Sequence, residues 1–165
     1  MIRKFYHLLD YRLVILLIGM LLASPILCGK NTYTICLIYS HYLTVYMNNI
    51  FLLMTYQLAY RFNSLHAFML LRIGEKKYYQ MTYFSLILLG LLYTFMIYIS
   101  YYFFFGAIEI QSLYITVIYM LLNIIVVCIE NTIIYLQIGQ KKNFLYLALP
   151  IFINFLFHIL FSQLF

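Results

Sequence analysis

The side chains that could do chemistry are few and lie far apart. The 165 residues include four carboxylates, four histidines and three cysteines. Asp10, Glu75, Glu109 and Glu130 are dispersed along the chain, so no two are spaced as an acid–base pair or a carboxylate metal site. Cys28, Cys36 and Cys128 form neither a CxxC nor a Cys/His metal pattern, and their odd number argues against a disulfide framework. Each reads as a small apolar residue. Cys36 and His41 are five positions apart, a poor geometry for a nucleophile and its base on one helix, which argues against a membrane cysteine protease. HExxH, GxSxG and P-loop patterns are absent. The expectation is therefore no catalytic residue, no cofactor, no metal site and no enzymatic activity.

A second group of polar residues has a regular spacing. Thr116, Asn123, Glu130 and Gln137 recur at intervals of seven, and Glu109 continues the series. That period is the seam of a left-handed helix pair. His41, Thr44, Asn48 and Thr55 share one helical face, and Asn154, His158 and Ser162 share another. Two readings stand: these faces line a substrate or proton path, or they are hydrogen-bond glue between helices. Asn and Thr commonly serve as glue, which favours the second. His41 and His158 read as hydrogen-bond donors in the core. Glu130 costs roughly 2.5–3.5 kcal/mol if charged at the centre of a membrane helix. We expect it to be protonated or paired with a cation from the cytosolic side.

The elements that must position these residues follow from composition. Hydrophobic residues make up 67% of the chain and charged residues 8%. A soluble domain has roughly 45–50% apolar and about 25% charged residues. That much apolar surface calls for lipid as solvent. A helix needs about 20 apolar residues to cross the hydrocarbon. Five such runs are present, at about 13–29, 33–60, 81–105, 112–138 and 144–165. The predicted fold is an all-α, polytopic transmembrane bundle of five spans in a single domain, with no space for a folded soluble domain. Asn48, Asn123 and Asn154 fall near the middle of their spans. Glu130 lies eight residues before the end of the fourth span, about 12 Å deep at 1.5 Å per residue.

Lysine and arginine set the orientation. With the N-terminus inside, nine basic residues face the cytosol: Arg3, Lys4, Arg12, Arg61, Arg72, Lys76, Lys77, Lys141 and Lys142. Only Lys30 lies outside, and the C-terminus ends outside. The net charge of +6 is thus a topology signal and a source of lipid headgroup contacts, which disposes of nucleic acid as a partner. Arg12 and Asp10 precede the first span, and Ser24-Pro25 is a poor cleavage site, so a removed signal peptide is not expected.

Two segments outside the spans have a character of their own. In MIRKFYHLLDYR, the residues Ile2, Phe5, Tyr6 and Leu9 recur at helical spacing, with Arg3, His7 and Asp10 opposite. This predicts an amphipathic helix in the cytosolic interface. In residues 61–80, Asn63 or Ser64 can cap a short helix that Gly74 ends. Leu65, Phe68, Met69 and Arg72 would share one side of it, free to press on the membrane or to dock into a cytosolic partner.

The stretch FMLLRIGEKKYYQMTYFSLILLGLLYTFMIYI, about a quarter of the chain with its flanks, resembles the integral membrane subunits of ABC exporters of low-GC Gram-positive bacteria. The likeness is to the type-2 permeases of bacteriocin export and self-immunity systems. There, a short cytosolic helix after the second span carries an Arg, a Gly and a basic cluster, matched here by Arg72, Gly74, Lys76 and Lys77. The N-terminal amphipathic segment looks like that family's interfacial connecting helix. The resemblance implies that residues 64–77, with Leu65, Phe68, Met69, Arg72, Lys76 and Lys77, contact a separate cytosolic ATP-binding-cassette subunit and move with its ATP cycle. It also implies a second membrane subunit, a hydrophobic peptide or similar substrate, and a bacterial plasma membrane. Members usually have six spans in a longer chain, against five here. The competing expectations are an immunity factor or assembly partner that transports nothing, and a small proton-coupled transporter. The odd number of spans and the lack of an inverted repeat count against the last.

Overall fold

Long apolar runs broken only by isolated glycines and prolines give long helices. The computed structural model describes residues 9–34 and 41–164, with side chains over 9–30 and 41–160. Five helices run through them: α1 (Tyr11–Thr34), α2 (Tyr42–Ile73), α3 (Glu75–Phe105), α4 (Ile110–Tyr135) and α5 (Leu145–Leu164). The predicted amphipathic helix falls mostly on residues 1–8, outside the described residues.

Of these helices, α1 (over Tyr11–Lys30), α3 and α4 are long and apolar enough to cross a membrane, and α5 supplies a shorter apolar stretch, Leu145–Leu160. α2 is not among them, yet it is the helix most enclosed by protein. It packs against α1, α3, α4 and α5. Its buried residues mix Val45, Met47, Phe51 and Leu52 with Thr44, Asn48 and Thr55. A helix surrounded by other helices can carry polar side chains because its neighbours supply hydrogen-bond partners.

The helix ends and breaks have local causes. Asp10 caps α1, its Oδ1 accepting from the Arg12 N–H at 3.0 Å. Within α1, Pro25 lacks the N–H that would bond the Leu21 carbonyl. That carbonyl is satisfied instead by Ser100 Oγ of α3 at 2.7 Å and by Ser24 Oγ at 3.2 Å. The proline thus exposes an acceptor that ties α1 to α3, which is how a helix-breaking residue is accommodated in apolar surroundings. Gly29, at φ 78° and ψ 176°, breaks the helical path near the expected boundary at 29, and helix resumes beyond this kink as far as Thr34.

The expected break after residue 60 does not occur. α2 runs through Asn63 and Ser64 without a cap and stops only at Gly74, where φ is 80°. Nothing in residues 61–64 forbids helix. The Asn63 side chain reaches across to another element, and Ser64 Oγ donates back to the Arg61 carbonyl at 2.7 Å. Gly74 alone separates α2 from α3. The predicted 61–80 connection is therefore the tip of a helical hairpin whose arms are 32 and 31 residues long. At 1.5 Å per residue each arm is about 45 Å, some 15 Å more than a hydrocarbon core.

Connections alternate between the two ends of the bundle. Lys30 near the end of α1 bonds Glu109, which precedes α4, at 3.0 Å. At the opposite end Asp10, Arg61 and Lys142 line one open cleft of about 290 Å³ with Tyr56, Gln57 and Tyr60. The Lys142 ammonium sits 5.1 Å from the Tyr60 ring centroid and 4.8 Å from that of Phe144.

Candidate functional site

The seven-residue series on α4 meets the rest of the bundle as an inward face. Thr116, Asn123 and Glu130 are all buried, together with Val126, Val127, Asn131 and Ile134. Thr116 Oγ1 donates to the Ser112 carbonyl one turn back, at 3.0 Å. Asn123 Nδ2 donates to the Tyr98 hydroxyl of α3 at 3.2 Å. Glu130, at 0% exposure, accepts from Asn48 Nδ2 of α2 at 3.4 Å. The polar faces predicted on separate helices thus converge at Asn48 and Glu130. Among the described residues the only ion pair within 4.0 Å is Lys30–Glu109, and none of their cations pairs with Glu130.

α5 joins through Asn154, whose Nδ2 donates to Asn49 Oδ1 at 2.7 Å and to the Val45 carbonyl at 3.2 Å, both on α2. His158 is buried with its ring edge-on to Tyr42, centroids 4.6 Å apart. Thr44, Asn48 and Thr55 share the buried face of α2, as their spacing implies. The Ser162 side chain lies outside the described residues.

Two residues assigned to the intramembrane face do other work. His41 is exposed and caps α2, its Nδ1 accepting from the Leu43 N–H at 3.2 Å. Its backbone is extended (φ −136°, ψ 141°) and the helix starts at the next residue, Tyr42, so His41 precedes the helix instead of belonging to it. Gln137 is buried but lies beyond α4, which ends at Tyr135. It organises the turn into α5: Nε2 donates to the Lys141 carbonyl at 3.0 Å, and Oε1 accepts from the Asn143 N–H at 2.9 Å. Its place in the series of seven is a coincidence of spacing, because the period has meaning only while the helix lasts.

The series missed Asn131, which is fully buried and whose Nδ2 donates to the Leu86 carbonyl of α3 at 3.1 Å. The signal that could have located it is Gly90. A Cβ there would collide with the Asn131 amide and sit 2.7 Å from Val127 Cγ1, so the glycine allows α3 and α4 to approach closely.

At the hairpin tip, Phe68 is 80% and Leu71 92% exposed. Leu65, Arg72, Lys76 and Lys77 are exposed beside them. Met69 differs from expectation: it is half-buried and packs with Leu70 and Ile73 against the core. The hairpin partner α3 claims that side of α2, for Tyr78 OH donates to the Phe62 carbonyl at 2.8 Å and His66 Nε2 lies 3.2 Å from Tyr79 OH. The outward face is therefore Leu65, Phe68, Leu71 and Arg72.

No family model, curated protein or solved structure matches this chain.

Proposed function

We propose that the protein is a five-crossing membrane protein of the bacterial plasma membrane, with the N-terminus and the α2–α3 hairpin in the cytosol, serving as a non-enzymatic membrane subunit of a multi-chain ABC exporter. A cytosolic ATP-binding-cassette subunit would bind the hairpin tip, and a second membrane subunit would complete the complex around a hydrophobic peptide or similar substrate. The observation that carries this reading is the tip itself. Phe68 and Leu71 are large, apolar and almost fully exposed beside Arg72, Lys76 and Lys77. Apolar anchors rimmed by charge at the end of a rigid element are what a groove on a partner recognises. The resemblance of residues 68–99 to exporter permeases supplies the kind of partner.

The test is co-expression with the ATP-binding-cassette ATPase encoded nearest its gene, followed by purification. The two should copurify, and Phe68→Ala with Leu71→Asp should abolish the association while the protein stays in the membrane. Undiminished binding by that variant would sink the assignment.

A second reading has an observation in its favour. Asn48–Glu130, Asn154–Asn49 and Asn131–Leu86 are direct contacts between helices of one chain. They use the polar residues as glue and support an immunity factor or assembly partner that moves no substrate. If deletion of this chain leaves peptide export intact but removes resistance to the exported peptide, this second reading takes precedence.

A further inference from the structure

We infer that Glu130 is a proton-binding site of the bundle, carried at neutral pH as the uncharged acid against Asn48. Both side chains are 0% exposed, one on α4 and the other on α2. They meet through a long contact, Asn48 Nδ2 to Glu130 Oε2 at 3.4 Å. The remaining atoms of the pair, Glu130 Oε1 and Asn48 Oδ1, are both buried without a partner. An ionised carboxylate offers only acceptors, and an amide oxygen is another. One proton on Oε1 turns the carboxyl into a donor and removes a charge that would otherwise sit unpaired in an apolar interior, a state costing far more than an unmade neutral hydrogen bond.

Among the described residues the surroundings supply no other neutralising group. From α3, Tyr93 stands within electrostatic range of Glu130. Its ring stacks on Phe51 at 4.0 Å and its hydroxyl has no partner, so it offers a neutral dipole and no countercharge. From α5, His158 packs on Tyr42, about 9 Å along α2 from Asn48. On α4 itself, Asn131 is committed to Leu86, and Cys128 lies on the apolar outer side among Ile124, Ile125 and Ile129. α1 contributes Cys28, which neighbours Tyr101.

The proton comes from bulk water, and no other bond changes. Its loss would leave a carboxylate with one long amide contact, so the α2–α4 interface would have to admit water or a cation. Proton occupancy and the packing of these two helices are thereby linked. This inference concerns the α2–α4 contact alone and does not depend on whether an ATPase docks at the hairpin.

The test is infrared spectroscopy of the purified full chain in lipid. A protonated-carboxyl C=O band is expected at neutral pH, shifted in D2O, lost in Glu130→Gln and moved in frequency in Asn48→Leu, where the amide partner is gone. If those variants fail to fold, the wild-type band and its deuterium shift decide, since Asp10, Glu75 and Glu109 lie outside the bundle interior. Absence of the band at neutral pH overturns the inference. So does its disappearance when sodium replaces potassium, which would assign the site to a metal cation.

Discussion

Asn63 of α2 grips the turn around Gly139: its Oδ1 accepts from the Gly139 N–H at 2.6 Å, while its Nδ2 donates to the carbonyls of Gln137 at 2.9 Å and Gln140 at 3.2 Å. One side chain thereby satisfies three backbone groups of the α4–α5 turn. At about 1 kcal/mol for each intramolecular hydrogen bond, and less where water can substitute, Asn63→Ala should cost about 1–3 kcal/mol. Unfolding in mixed micelles would measure it. Asn63→Asp should recover only part of the loss, because it keeps the acceptor and loses both donated bonds.

Gly90 governs how closely α3 and α4 approach. A methyl group there meets Val127 Cγ1 at 2.7 Å and the Asn131 amide. Gly90→Ala should destabilise the fold by about 1–3 kcal/mol, the usual range for overpacking. Adding Val127→Ala should restore part of that loss. A neutral single variant would show that the α3–α4 contact has slack.

The Lys30–Glu109 pair joins α1 to the start of α4, but its side chains are 52% and 71% exposed. Exposed pairs contribute roughly 0–1 kcal/mol. Lys30→Ala should therefore leave thermal stability nearly unchanged. The pair is more useful as a marker of sidedness. In a cysteine-free background, Lys30→Cys should react with a membrane-impermeant maleimide on intact cells, and Lys76→Cys only after permeabilisation. The reverse pattern would invert the proposed topology.

The hairpin tip should be dispensable for folding. Phe68 and Leu71 make little contact with the bundle, so Leu71→Asp should preserve stability within about 0.5 kcal/mol, as surface changes do. Met69→Asp should be damaging, since Met69 packs against the core. A comparison of the two variants by melting in detergent separates the outward face from the inward one.

The helical class of this protein and the location of its apolar runs are legible in the sequence, because a 67% apolar chain with polar residues at helical intervals has few other ways to satisfy its backbone. The inward faces of Thr116, Asn123 and Glu130 on α4, and of Thr44, Asn48 and Thr55 on α2, follow from periodicity alone. Where helices stop was less legible. Gln137 kept the period after α4 had ended, and Asn63 looked like a cap although the chain runs through it as helix. In both cases the side chain spends its hydrogen bonds on a turn or element distant in sequence, which local pattern does not encode. Periodicity placed Asn48 and Glu130 on inward faces of different helices. Only the tertiary packing decided that they face each other, with no cation beside them among the described residues, because that depends on which neighbours α2 and α4 choose and how closely Gly90 lets α3 approach.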